Sequence, residues 1–164
     1  MEKLFLISFI SSLLSFCFLP NIKENLSEED IKEMKSLSEG LIEEYNERLN
    51  IIASTKLNQS QIDLIIENLY SPEDENRIFY SGEIIVEDDI NPKSVNSDLK
   101  NDFKITYYLQ NFNISYQKSN SKSVFFSNIK SSPVEQKEFI YVYVGFDCDF
   151  ISSHREIKEP YVKT

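Results

Sequence analysis

Apolar residues recur every three or four positions in the first part of the chain and every second position in its last third. The first spacing predicts an amphipathic helix that begins at Ser27. Ser27 and Asp30 fit a capping box, in which a hydroxyl and an acid three residues later bind each other's backbone amides. Gly40 lies inside this helix and permits a kink. The residues expected on its buried side are Ile31, Met34, Leu37 or Leu41, Tyr45, Leu49 and Ile52.

The middle of the chain carries shorter signals. Its pattern predicts a second helix, two short strands around a Ser81–Gly82 turn, a loop and a third helix. The expected ranges are Ser60 to Tyr70, Arg77 to Tyr80, Glu83 to Val86, and Ser97 or Asp98 to about Phe112.

Alternation with a period of two follows the third helix and predicts β-strands. Because helices come first and antiparallel strands follow, the predicted fold class is α+β, with N-terminal helices packed on a curved antiparallel sheet. No internal repeat is evident, so residues 27–164 are expected to form a single α+β domain. The expected strands are Ile114 to Tyr116, Val124 to Ile129, Phe139 to Ile151 and a short one at Tyr161–Val162.

The N-terminal segment is apolar and short. Leu4 to Leu19 holds 16 residues without a charge, whereas a helix that spans a bilayer needs about 20. Residues 1–20 are therefore interpreted as a signal peptide or membrane anchor, and residues 21–26 as a polar spacer. Cys17 adds an alternative, because LLSFC resembles the lipidation site of a bacterial lipoprotein, although Phe16 stands where a small residue is expected. Removal, lipidation and retention of the segment are the three alternatives.

The charge of the chain argues against one class of partner. It contains 17 Lys and Arg against 27 Asp and Glu, a formal net charge of −10, and no basic stripe is present. Nucleic acid is bound by clustered cations, so nucleic-acid binding is not expected. Contact with a membrane is expected only through the N-terminal segment.

The stretch FIYVYVGFDCDF, residues 139–150, invites a chemical interpretation. Alternation places Cys148 on the apolar face of this strand, where a thiol behaves as a small hydrophobe. Asp147 and Asp149 fall on the other face, which becomes wetter toward the end of the strand. The alternation of a strand therefore explains these residues better than a metal or catalytic site does.

Other candidate groups are isolated in the sequence. Glu73 to Glu75 and Glu87 to Asp89 lack the spacing of a calcium loop and are expected to be solvated loop residues. His154 is the only histidine and is expected in an exposed turn. No phosphate-binding loop or nucleophile motif is present. The sequence therefore predicts no catalytic residue, no metal and no cofactor.

The order of the elements resembles the cone-shaped α+β fold of the nuclear transport factor two and ketosteroid isomerase superfamily. The segments that carry the resemblance are IKEMKSLSEGLIEEYNERLNII, DLIIENLY and KEFIYVYVGFDCDF. The resemblance implies a pocket between sheet and helices, for which the candidate residues are Tyr107, Tyr141, Tyr143, Asp147 and Asp149. Some members are isomerases, dehydratases or cyclases and others only bind or assemble. No catalytic residue of the superfamily matches a position of this chain.

The sequence thus predicts an exported, non-catalytic module, periplasmic, envelope-associated or secreted, that binds a protein or small molecule or assembles, with a homodimer as one form. The alternative is a small-pocket enzyme, isomerase- or dehydratase-like, that uses Asp147 or Asp149 with a tyrosine. A buried acid whose pKa is shifted toward neutrality would favour the enzyme. Exposed aromatic side chains would favour the binding module.

Overall fold

The α+β class predicted from the sequence is confirmed. The computed structural model describes residues 3–8, 26–95, 101–158 and 161, and the long N-terminal helix packs against an antiparallel sheet. In chain order the elements are β1 (Lys3–Ser8), α1 (Glu28–Ile52), α2 (Gln59–Asn68), β2 (Ile85–Glu87), α3 (Pro92–Val95), β3 (Asp102–Lys104), α4 (Ile105–Ser115), β4 (Val124–Ser131), β5 (Glu135–Gln136) and β6 (Ile140–Phe150).

The strands form two sheets. The larger sheet has the order β1-β6-β4, with β5 also paired to β6, and the smaller sheet is the antiparallel pair β2 and β3. β1 was not predicted, and it runs antiparallel to β6 with Phe5 opposite Val144. It lies in the segment interpreted as a signal peptide or anchor. The rest of that segment, with Cys17, lies outside the described residues, and its removal, lipidation or retention stays a prediction.

Two compact units divide the chain. The first consists of Met1–Ile42 and Ser127–Asp147, and the second consists of Glu43–Phe126 and Cys148–Thr164. The expectation of a single domain over residues 27–164 stays a prediction.

In the first unit, α1 is capped as predicted. The hydroxyl Oγ of Ser27 accepts a hydrogen bond from the backbone N–H of Asp30 at 3.1 Å, and Asp30 Oδ2 accepts one from the N–H of Ser27 at 3.0 Å. The helix continues through Gly40. One turn before the end of this part of α1, Glu39 Oε1 accepts hydrogen bonds from the N–H and the hydroxyl of Ser131 at 2.8 and 2.7 Å. These bonds attach α1 to the end of β4.

In the second unit, the remainder of α1 buries the predicted residues Tyr45, Leu49 and Ile52. α2 begins one residue before the predicted start, because Asn58 and Gln61 form a capping box. α4 packs against α2 and against both strands of the small sheet. These contacts surround a core that contains, among others, Ile62, Ile66, Ile105, Leu109 and Phe112.

Three local predictions were wrong. Arg77 to Tyr80 forms no strand, because the backbone N–H groups of Ile78 and Phe79 both donate to the carbonyl of Leu69 at the end of α2. The third helix begins only at Ile105, since the preceding residues form β3, while residues 96–100 lie outside the described part. Ile114 belongs to this helix rather than to a strand.

One alternative and one further strand prediction can also be checked against the structure. Leu41 is half-buried on α1, whereas Leu37 is 50% exposed, so the buried side includes Leu41. The short strand predicted at Tyr161–Val162 is wrong at Tyr161, which lies in a bend and is buried, while Val162 lies outside the described residues.

Candidate functional site

The two faces of β6 are those predicted from the sequence. Val142, Val144 and Phe146 are buried, while the alternate residues Tyr141 and Tyr143 are partly exposed. Cys148 is half-buried and forms no disulfide within the described residues. The thiol is thus less completely buried than Val142, Val144 and Phe146 on the same face of the strand.

The acids of β6 do not form a paired carboxylate site. Asp149 is exposed. Asp147 is half-buried and its Oδ2 accepts a hydrogen bond of 2.6 Å from Nδ2 of Asn128. Asn128 has a φ of 53°, in the left-handed region that Asn tolerates better than most residues. Asp147 therefore binds the side chain of a β4 residue whose backbone conformation is uncommon.

The three tyrosines named from the family resemblance lie in different surroundings. Tyr141 and Tyr143 share one face of β6 in the first unit, with ring centroids 5.4 Å apart. Tyr107 belongs to the second unit, where it is 55% exposed and its ring lies 4.9 Å from that of Phe103. The structure thus brings together two of the predicted pocket residues.

His154 has a local structural contact. Its Nδ1 accepts hydrogen bonds from the backbone N–H groups of Glu156 and Ile157, at 3.1 and 3.0 Å. It is half-buried and pairs with Tyr116 in an isolated bridge. The expectation of an exposed turn residue was therefore wrong, because His154 is bridged to Tyr116 and partly buried.

A buried polar cluster in the second unit was not predicted. It consists of Tyr45, Asp88, Asp89 and Tyr108, and we call it the Tyr108 cluster. The hydroxyl of Tyr108 donates to Asp89 Oδ1 at 2.6 Å, and the hydroxyls of Tyr45 and Tyr108 share a hydrogen bond. Asp88 and Asp89 are only 5% and 9% exposed. The prediction that these two acids are solvated loop residues was therefore wrong.

Asp88 holds the turn that buries the cluster. Its Oδ1 accepts hydrogen bonds from the backbone N–H groups of Ile90 and Asn91, at 3.0 and 3.2 Å. Such bonds from an Asp side chain to the following residues stabilise a turn. The carbonyl of Ile90 in turn accepts a hydrogen bond of 2.7 Å from the hydroxyl of Tyr161.

Burial controls the ionisation of the tyrosines in this cluster. Removal from water raises the pKa of Tyr108 well above its ordinary value, and it raises the pKa of Tyr45 in the same direction. Both hydroxyls therefore remain protonated at neutral pH and can act as hydrogen-bond donors. A tyrosine hydroxyl beside a carboxylate can stabilise an oxyanion when a substrate reaches it. Tyr108 is only 4% exposed. A substrate does not reach its hydroxyl in this arrangement, which therefore contributes to the packing of the core.

The sequence contained part of the signal for this cluster. Tyr45 belongs to the apolar pattern of α1 and was expected on its buried side, whereas no burial was predicted for Tyr108. The acids Asp88 and Asp89 precede Ile90-Asn91-Pro92, a combination that favours a turn. Only the fold brings the turn to the hydroxyl of Tyr108, 19 residues further along the chain.

The outer side of α4 carries exposed apolar residues. Ile105, Tyr108, Leu109, Phe112 and Asn113 are buried, and the opposite side of the helix includes Tyr107 and Ile114. Ile114 is 66% exposed. Because residues seven apart share a helix face, Tyr107 and Ile114 form one surface, which we call the Tyr107 face.

In the part of the chain that the structure describes, no group of three or more His, Cys, Asp or Glu side chains is arranged to hold a metal ion. Among the same residues, no helix combines the length and apolar character needed to cross a bilayer. Comparisons with protein-family models, curated proteins and solved structures found no significant match.

Proposed function

We propose that this chain is an exported, non-catalytic module that binds or assembles with a protein of the cell envelope. The observation that carries the proposal is the Tyr107 face. Tyr107 and Ile114 are both more than half exposed on one side of α4, and Phe103 packs against the ring of Tyr107. Large apolar side chains grouped on a surface are typical of sites that bind another molecule.

Export is supported by the sequence of the N-terminal segment. Leu4 to Leu19 contains no charge and is followed by Pro20, a length and ending that suit a secretion signal better than a spanning helix. The acidic composition of the chain supports a module that does not bind the membrane surface, because an anionic bilayer repels a net charge of −10.

The absence of catalysis is proposed from the positions of the candidate acids. Asp149 is exposed and Asp147 is hydrogen-bonded to Asn128. The acid beside a tyrosine hydroxyl is Asp89, and both partners are almost completely buried. A carboxylate and a phenol that hold each other in a closed core favour a structural role over a small-pocket enzyme.

A finer family assignment is part of the same proposal. The order of α1 and α2 before the long strand β6 supports a relation to the nuclear transport factor two and ketosteroid isomerase superfamily. Members that bind or assemble without catalysis suit the Tyr107 face better than its enzymes do. An experimental structure that shows β6 inside a cone-shaped sheet would test this assignment.

Site-specific photo-crosslinking in the native host tests the binding role. A photoreactive phenylalanine analogue replaces Tyr107 or Ile114 in the full chain, and a third variant carries it at Glu47, an exposed residue of α1. Adducts with one envelope protein from positions 107 and 114, and none from position 47, would support the proposal. Equal adduct formation at all three positions, or none at any of them in correctly exported protein, would refute it.

A further inference from the structure

β1 occupies the edge of β6. The register places Lys3 opposite Phe146, Phe5 opposite Val144 and Ile7 opposite Val142. On the other side of β6, the N–H of Tyr143 donates to Ser132 Oγ at 3.0 Å, and its carbonyl accepts from the N–H of Ser132 at 2.7 Å. Backbone groups of successive strand residues point in opposite directions. The groups of Val142, Val144 and Phe146 are therefore those that face β1.

The occupant of this edge lies within the segment proposed to direct export. If residues 1–20 are removed, as the proposed function implies, β1 leaves with them and the backbone groups of Val142, Val144 and Phe146 lose their partners. An unpaired strand edge is a template for pairing with another chain. Export would thus turn a covered edge into an exposed one.

We propose that the mature chain forms a homodimer in which the exposed edge of β6 pairs antiparallel with the same edge of a second copy. The two-fold axis lies at Val144, so that Val144 faces Val144 of the second copy and Val142 faces Phe146 of the second copy. These are the residues whose backbone groups β1 binds in the precursor. An isologous contact of this kind closes after two chains and does not propagate. The inference rests on the proposed removal of the N-terminal segment.

The second copy fits this edge in charge and in shape. Residues 139–146 carry no charge, so two chains of net charge −10 can meet there without a repulsive pair directly opposite. In the proposed register Tyr143 lies opposite Gly145 of the second copy. A Cβ at Gly145 would have no atom within 4 Å, which leaves space for a ring. An aromatic side chain across from a glycine is a favourable cross-strand pair.

The register also separates the acids at the end of the strand. Asp147 lies opposite Tyr141 of the second copy rather than opposite another Asp147. Like charges directly opposite each other destabilise a strand pair, and an antiparallel pair centred on Val144 avoids this. A parallel pair in register would align the aspartates, so the sequence favours the antiparallel arrangement.

The test uses the full chain expressed in its native host, with intact mass and light scattering on the purified product. The expected result is loss of the N-terminal segment together with a particle mass about twice that of the chain. Gly145→Glu places a carboxylate against Tyr143 of the second copy and should give a monomer with an unchanged circular dichroism spectrum. Gly40→Glu is the matched control, because a Cβ added at Gly40 would likewise have no atom within 4 Å, and it should leave the dimer intact.

Cysteine pairs test the register. Tyr143→Cys combined with Gly145→Cys places thiols opposite each other across the dimer, and oxidation should give an interchain disulfide that peptide mapping locates. Tyr141→Cys combined with Gly145→Cys is out of register and should give no such link.

A product that lacks the segment but is monomeric, or that is bound to a different protein, overturns the dimer alone. A product that retains the segment overturns both the dimer and the proposed processing.

Discussion

Asn50 of α1 binds both backbone groups of Val124, the first residue of β4. Its Oδ1 accepts from the N–H of Val124 at 3.0 Å, and its Nδ2 donates to the carbonyl of Val124 at 2.7 Å. Oδ1 also accepts from the N–H of Ser123 at 2.9 Å. One carboxamide therefore satisfies three backbone groups where the strand begins.

Replacement of Asn50 should destabilise the fold. Asn50→Ala leaves the N–H groups of Ser123 and Val124 without their acceptor, while the carbonyl of Val124 keeps its hydrogen bond from Asn46 Nδ2. We expect a loss of about 2 kcal/mol in the free energy of unfolding. Asn50→Asp keeps the two acceptor bonds but places a carboxylate oxygen against the carbonyl of Val124, so it should also destabilise the fold. Urea denaturation measures both. Asn68→Ala, at an exposed position of α2, is the control and should change stability by no more than about 0.5 kcal/mol. An equal effect of Asn50→Ala and Asn68→Ala would contradict the role of this carboxamide.

The same unit shows which features the sequence could and could not predict. The strand β4 and the helix α1 follow from apolar spacing, which depends on residues close together in the chain. The role of Asn50 does not follow from this spacing, because Asn50 stabilises the fold through a contact with Val124, which is 74 residues away. Asp89 is a similar case, since its burial depends on the hydroxyl of Tyr108. Polar residues whose partners are distant look like surface residues in a sequence.

The sequence also does not show where a backbone N–H group bonds to a helix end instead of to a neighbouring strand. The alternation from Arg77 to Tyr80 suits a strand, but the carbonyl of Leu69 binds the N–H groups of Ile78 and Phe79. The end of a helix offers unpaired carbonyls, and a nearby segment can satisfy them in place of a strand. Apolar spacing carries no information on this competition.

Removal of the Tyr108 hydroxyl should weaken the core. Tyr108→Phe eliminates the donor to Asp89 at 2.6 Å, and we expect the free energy of unfolding to fall by about 2 kcal/mol, since a buried oxygen of Asp89 then loses its hydrogen bond. Tyr107→Phe removes the hydroxyl of the preceding tyrosine, which is 55% exposed, and should lower the free energy of unfolding by less than about 0.5 kcal/mol. Chemical denaturation of the two variants compares them directly. Equal losses of stability in the two variants would show that the hydrogen bond between Tyr108 and Asp89 does not stabilise the fold.

Alkaline pH should unfold the protein together with ionisation of its buried tyrosines. Burial raises the pKa of Tyr45, Tyr108 and Tyr161 in the folded state. The stability that follows from these raised pKa values is fully present below the ordinary tyrosine pKa of about 10 and is lost as the pH rises above it. Tyrosinate absorbance and circular dichroism, recorded together, should therefore show a shared step. In Tyr108→Phe the absorbance of that step should be smaller. Complete ionisation of all tyrosines in protein with a native spectrum would refute the prediction.

Two glycines should respond in opposite ways to alanine. Gly40 lies inside α1 with no atom within 4 Å of an added Cβ, so Gly40→Ala should raise stability by about 1 kcal/mol through helix propensity. At Gly82 an added Cβ would lie 2.6 Å from Cγ2 of Thr106 and 3.3 Å from Cδ2 of Tyr70. Gly82→Ala should therefore lower the stability. Thermal unfolding of both variants checks the signs, and a loss at Gly40 would mean that α1 needs flexibility there.

The bond between Glu39 and Ser131 should depend on pH. The hydroxyl and the backbone N–H of Ser131 hold the pKa of Glu39 below its ordinary value. A lowered pKa stabilises the fold above the unfolded-state pKa of about 4.3, and this contribution is lost as the pH falls through the folded-state pKa. Ser131→Ala removes the hydroxyl but keeps the N–H, so the pKa of Glu39 should rise toward its usual value. The variant should lose about 1 kcal/mol at neutral pH.

Carboxyl titration by NMR follows the pKa of Glu39, and urea denaturation at neutral and acidic pH follows the stability of Ser131→Ala. The difference from the wild type should be largest at neutral pH and should close in acid, because a protonated Glu39 no longer offers a charged acceptor. Glu33→Gln, at an exposed position of the same helix, is the control and should change stability by less than about 0.5 kcal/mol. A difference that stays constant with pH would mean that the Ser131 hydroxyl acts by packing rather than through the Glu39 carboxylate.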